Sequence, residues 1–294
     1  MTEPIDSDIT IHKNDNRCSP ALNFENGSCI PLEYLILIVE AYNNKYPNDI
    51  IKLSNTIETL NRQKYKKYLL KQLSKKLKKQ CDSQQCWLEQ SFINNINKEM
   101  RRRIQNNVFR PDGPNGKFTW LNTLNIDAVM KQYEDKYPEF IFLGAVPIDF
   151  DNLDGLKFSS YDFYDLEFNK NKHKIGIIFN LDRHDQPGSH WNALYADLKK
   201  GQVYFYDSYG INPTHEVRKL MRSIAKYIKS NNINPVADYN KIRHQYGNSE
   251  CGVYSINFIE RLLNGDSFEK ICKDKTPDDV INNYRKIYFG NTNF

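Results

Sequence analysis

The sequence predicts an α+β fold in which helices precede a mostly antiparallel sheet and further helices follow it. Three patterns carry that expectation. Tyr65, Leu69, Leu73 and Leu77 recur every four residues, the spacing of one apolar helical face. Four strand-like runs crowd between residues 140 and 206. From Val253 the apolar positions return to helical spacing, at Ile256, Ile259 and Leu263.

The 294 residues suffice for one large domain, or for one domain with a smaller module. Residues 1–30 are rich in Asp, Asn, Ser, Pro and Thr, with little periodicity, and read as a flexible leader. Pro31 fits a first helical position, and the apolar run Leu32 to Tyr42 is too short to span a bilayer, so a buried helix is expected. A second helix is expected from Asn61 to about Lys79. Its other faces carry Arg62, Lys64, Lys66, Lys67, Lys71, Lys75, Lys76, Lys78 and Lys79, with no acid between them. The bland reading is a solvated face. The sharper one is a surface for nucleic acid or an acidic partner, although no aromatic–glycine motif supports it. Residues 31–105 thus read as a basic helical module, while a net charge of only +5 does not by itself imply a strongly basic binder.

The run Arg110-Pro-Asp-Gly-Pro-Asn-Gly116 reads as a loop, and residues 106–294 as a second domain. That domain should hold a capped helix through Asn125–Tyr133 that ends near Pro138, and strands at Phe140–Ile148, Lys174–Phe179, Trp191–Ala196 and Gln202–Tyr206. Helices should follow at His215–Lys229, Val253–Leu263 and about Pro277–Tyr288.

Six cysteines are too sparse for a disulfide scaffold, and Met1 to Asn16 lacks the apolar stretch of a signal peptide. Free thiols in a reducing compartment are therefore expected. Cys81 and Cys86 hint at a metal, but the flanking histidines, His12 and His173, are both far away in sequence and no second cysteine pair exists, so packed thiols are the better reading. Neither a metal nor a cofactor is expected.

The chemistry concentrates in two segments. In Gln245-Tyr-Gly-Asn-Ser-Glu-Cys251-Gly-Val, turn residues precede a helical pattern, so Cys251 sits at or near a helix N-terminus. Unpaired N–H groups and the helix dipole favour a thiolate there. Gly252 removes a side chain next to the sulfur and would let a substrate backbone approach. A cysteine at a helix start is by itself more often a packed residue. Cys272 lacks any such Gly or Gln frame and should be inert.

The second segment, Gly188-Ser-His190-Trp to Tyr206-Asp207-Ser-Tyr-Gly, reads as a β-hairpin turning at Lys200-Gly201. Pairing Lys199 with Gln202 puts Asp207 on the face of His190 and Asp197 on the other. Asp197 is also about 23 Å away along the strand, at roughly 3.3 Å per residue. Ideal register still leaves Asp207 about four residues short, a gap for a bulge or bend. Asp207 is therefore the orienter of the imidazole, and Asp197 a turn residue. A histidine steered by a carboxylate and a helix-capping cysteine are what nucleophilic catalysis needs. Gln245, six residues before Cys251, supplies a side-chain donor for an oxyanion.

His-Trp, then Tyr-Asp-Ser, then Gln-x5-Cys-Gly resembles the SUMO proteases and the adenovirus-type proteases. The resemblance implies a papain-like fold with Cys251 as nucleophile, His190 as base, Asp207 as orienter and Gln245 as oxyanion donor. It also implies that Trp191 roofs a narrow tunnel for a Gly-Gly substrate. The text is more similar still to the polyprotein-processing proteases of large DNA viruses, of the African swine fever virus type. Ile242-Arg-His-Gln245, Cys81-Asp-Ser-x-x-Cys86 and Asn125-Ile-Asp127 carry that likeness, over roughly residues 80–290. One departure is Asp207, where the swine fever enzyme has Asn; Asp is the SUMO-protease choice. The Asn, Ile, Lys and Tyr content suits a mimivirus-like giant virus. The likeness implies an endopeptidase maturing viral structural precursors in virion and host cytoplasm. The alternatives are an isopeptidase acting on host ubiquitin-like modifiers, and a basic scaffold protein with a degenerate protease fold.

Overall fold

The computed structural model describes residues 17–54 and 61–290, so the leader expected over residues 1–16 lies outside the described residues. The chain divides into two compact units, Met1–Arg110 and Pro111–Phe294.

In the first unit, α1 (Leu32–Lys45) buries Leu35, Ile38, Val39 and Tyr42, and α2 (Arg62–Leu77) buries the expected stripe of Tyr65, Leu69, Leu73 and Leu77. The Asn61 side chain accepts from the N–H groups of Gln63 and Lys64, satisfying donors that a helix start leaves open. Two shorter helices, α3 (Gln84–Trp87) and α4 (Lys98–Asn107), complete the unit.

Residues 17–30 are not a flexible leader. Cys18, Cys29 and Ile30 are buried, and the chain is tied down by Ser19 N–H on the Val108 carbonyl and Arg110 N–H on the Arg17 carbonyl. A reversal through Asn26 and Gly27, at φ of 56° and 88°, returns Cys29 to Cys18. Their Cα atoms lie 5.2 Å apart and the sulfurs are bonded. A second disulfide joins Cys81 and Cys86 across the turn that Ser83 caps. The expectation of free thiols therefore holds for Cys251 and Cys272 alone. Cysteine density over the whole chain was the wrong measure, because the four that pair are gathered in the smaller unit.

The second unit opens with α5 (Thr123–Lys136), which starts two residues before the expected helix because Asn122 and Asn125 form a reciprocal capping box, and ends before Pro138 as expected. The sheet follows as β1 (Phe140–Pro147), β2 (Lys174–Asn180), β3 (Trp191–Asp197), β4 (Gln202–Tyr206) and, beyond α6 (His215–Ser230), β5 (Val236–Tyr239). Spatial order equals chain order. Pairing is antiparallel in the middle, β2 to β3 to β4, and parallel at both edges. The sequence pattern passes over β5, which is four residues long with Val236 and Ala237 exposed, so no buried face marks it.

Side chains alternate across β3. Trp191, Ala193 and Tyr195 join the core shared with α5 and α7 (Cys251–Leu263). Leu194 and Ala196 join the core shared with α6. The last helical stretch is broken into α8 (Phe268–Lys273), α9 (Asp278–Asn283) and α10 (Arg285–Tyr288).

Candidate active site

His190 stands immediately before β3 and Asp207 immediately after β4, at the open end of their hairpin. The register differs from expectation. Asp197, not Lys199, pairs with Gln202. The cause is Asp197 itself, whose Oδ1 accepts from the N–H groups of Lys199 and Lys200, each at 3.1 Å, and so builds a longer turn. Parity is kept, but the strands slide by two residues. Continued past the ladder, this register sets Tyr209 opposite His190 and makes Asp207 the diagonal neighbour, within side-chain reach. No bulge is needed to close the gap.

His190 Nε2 lies 3.1 Å from Asp207 Oδ2, and both residues are buried. Asp207 is itself held, since its Oδ1 accepts from Tyr209 N–H at 2.7 Å. The Tyr209 ring stacks on the imidazole, centroids 4.7 Å apart. Burial by itself would lower the His190 pKa. Hydrogen bonds to Asp207 and to the Cys251 sulfur, with their charges, overcome it and raise the pKa to about 9. With Nε2 taken by Asp207, Nδ1 is the ring nitrogen left for another partner.

Cys251 is the first residue of α7, where backbone N–H groups lack intrahelical partners. Gln245 is fully buried. Its N–H donates to the Ser208 carbonyl at 2.9 Å, beside Asp207. Its Oε1 accepts from Ser208 Oγ at 2.6 Å, and its Nε2 donates to the Gly247 carbonyl at 3.1 Å. This fixes the amide orientation with one Nε2 hydrogen left over. Asp278 Oδ2 pins the same loop by accepting from the N–H groups of Tyr246 and Gly247.

Trp191 is buried, and its Nε1 donates to the Leu121 carbonyl at 2.8 Å. Gly252 corrects an expectation. A Cβ there would stand 3.0 Å from the Leu121 side chain, so the missing side chain makes room for Leu121 and not for substrate. Asp197 is a turn residue, as its bonds to Lys199, Lys200 and His173 make plain. Cys272 lies apart from this cluster. Burial, reinforced by the charges of Asp238 and Glu269, pushes its thiol up to about 11. Sequence reasoning missed Ser208, Tyr209, Leu121 and Asp278. Ser208 and Tyr209 directly follow Asp207, and that adjacency was a usable signal; Leu121 and Asp278 act across long sequence distances and left none.

The sequence profile of the Ulp1 protease family, C-terminal catalytic domain, matches residues 150–291, which contain His190, Asp207, Gln245 and Cys251. The chain is 35% identical over 284 residues, 94% of either chain, to "Putative thiol protease R355" of Acanthamoeba polyphaga mimivirus. It is 24% identical to a cysteine protease of African swine fever virus, over 77% of this chain and 89% of that one. The crystal structure of an African swine fever virus protease superposes with a TM-score of 0.61 at 21% identity, covering 82% of this chain and 94% of that one.

Proposed function

This chain belongs to the Ulp1-type family of cysteine proteases, and from that premise we propose that it cleaves viral structural or core polyprotein precursors after Gly-Gly pairs during virion maturation. The observation that carries the reading is His190, whose Nε2 lies 3.1 Å from Asp207 Oδ2 and whose pKa is raised by Asp207 and by the Cys251 thiol. Cys251 attacks the scissile carbonyl as a thiolate. The oxyanion is met by the Cys251 N–H and the remaining Nε2 hydrogen of Gln245. His190 gives its proton to the leaving amine, then takes one from the water that hydrolyses the thioester. Asp207 holds the ring for both transfers.

Trp191 supports the choice of Gly-Gly. Its indole is pinned to the Leu121 carbonyl, so it forms a fixed wall that excludes side chains by size. Net positive charge supports a role for the first unit in docking a nucleic acid or acidic partner. Residues 1–110 hold 18 basic and 12 acidic residues, whereas residues 111–294 hold 23 and 24. Asp207, the SUMO-protease choice at its position, favours a second reading, an isopeptidase acting on host ubiquitin-like modifiers.

Purified enzyme incubated with Gly-Gly-X peptides from viral precursors, and separately with SUMO precursors, separates the two. Cleavage of the first set after the second glycine, abolished in Cys251→Ala, is expected. Preference for bulky residues before the cut bond refutes the Gly-Gly reading.

A further inference from the structure

Three buried polar side chains just behind the nucleophile have no part in the chemistry above. Arg285 of α10 is 0% exposed. Its Nη2 donates to the Ser249 carbonyl at 3.0 Å and its Nε to Asn282 Oδ1 at 3.0 Å. Asn282 Nδ2 donates to Glu250 Oε1 at 2.8 Å. Glu250, 2% exposed, also accepts from Ser249 N–H and Ser249 Oγ. A side chain at position 247 would come within 2.6 Å of Glu250 Oε2, so Gly247 leaves the room this carboxylate occupies.

Burying a guanidinium is costly, and apolar replacement of buried ion pairs is often neutral or stabilising. Stability alone gives no reason to keep such a group. Arg285 and Asn282 are bonded to each other and reach residues 249 and 250, next to Cys251, and Arg285 Nη1 is left without a hydrogen-bond partner among the described residues. Burial lowers the Arg285 pKa, and the charges of Glu250 and Cys251 offset part of that.

We propose that Arg285 is a positioning residue: with Asn282 and Glu250 it fixes the backbone entering α7, aims the Cys251 N–H at the oxyanion, and keeps a positive charge near the sulfur. This rests on Cys251 being the nucleophile. The ionisable groups that act on this pair are His190, Tyr209 and Glu250.

The test uses the full chain. Iodoacetamide labelling against pH, read by mass spectrometry at each cysteine, is combined with kcat and KM on a Gly-Gly peptide and with melting temperature. Wild type should label at Cys251; labelling confined to Cys272 overturns the nucleophile assignment underneath, a different failure from that of the proposal. In Arg285→Met the labelling midpoint should move to higher pH, and kcat should fall at least about tenfold with KM little changed. Arg285→Lys, which keeps the charge but not the fork, should recover the labelling profile but not kcat. A folded Arg285→Met that labels and turns over like wild type overturns the proposal. Should Arg285→Met fail to fold, Arg285→Lys decides: wild-type kcat overturns the proposal, and a low kcat with normal labelling supports it.

Discussion

At the scale of single residues, the state of His190 sets a pH window. Its pKa is raised from 6.5 to about 9 in the folded chain. A raised pKa stabilises the fold fully below the unfolded value and loses that contribution as pH climbs through the folded one. The urea stability of wild type should therefore fall from about pH 6.5 to about pH 9 relative to His190→Gln, and kcat/KM should decline on the alkaline side near 9 as the imidazolium is lost. A profile flat to pH 10 contradicts the ion-pair reading. The two aspartates of the hairpin part company in the same way. Asp207→Ala should lower kcat about a hundredfold or more by releasing the ring, with Asp207→Asn milder. Asp197→Ala should lower melting temperature and leave kcat within about threefold, because Asp197 bonds the turn and not the imidazole. Cysteine, histidine, aspartate and glutamine were readable here because each follows from a residue type set at the end of a patterned element. The direction in which Gly252 faces was not, since it depends on Leu121, which is 131 positions away in sequence.

At the scale of elements, the long amphipathic runs were legible and the short ones were not. The stripe of α2 and the apolar face of α6 repeat through several turns, so their pattern exceeds any local exception. α3, α8 and α10 have six residues or fewer, too few for a period to show. The hairpin was found with its parity intact and its register two residues off, because one carboxylate chose the turn. α2 yields its own prediction. Lys64, Lys67, Lys75 and Lys78 are exposed along it, about 21 Å from first to last at roughly 1.5 Å rise per residue. Changing these four to Glu should weaken retention on immobilised single-stranded nucleic acid and flatten its salt dependence, while hydrolysis of a short Gly-Gly peptide stays constant. Unchanged retention removes the docking role from this helix.

At the scale of the whole molecule, the two units differ in covalent character. Both disulfides lie in the first, and both free thiols in the second. Opening the Cys18–Cys29 loop with a Cys18→Ser and Cys29→Ser pair should cost the first unit about 2–3 kcal/mol by the chain-entropy relation. Calorimetry should show one transition moving down while Cys251 labelling is unaffected; loss of labelling reveals that the nucleophile depends on the first unit. The fold class was visible from the order of patterns along the chain, but the parallel edges were not, since β1 reaches β2 through short irregular turns and β5 shows no buried face. That sheet, with neighbours in space also neighbours in sequence, has a consequence for synthesis on the ribosome. The hairpin bearing His190 and Asp207 is complete once Asp207 has emerged, whereas Cys251 follows about 44 residues later, roughly two to nine seconds at 5–20 residues per second. A nascent chain thus carries the proposed base and orienter before the proposed nucleophile has been made, and the candidate site is incomplete until residue 251 has been added.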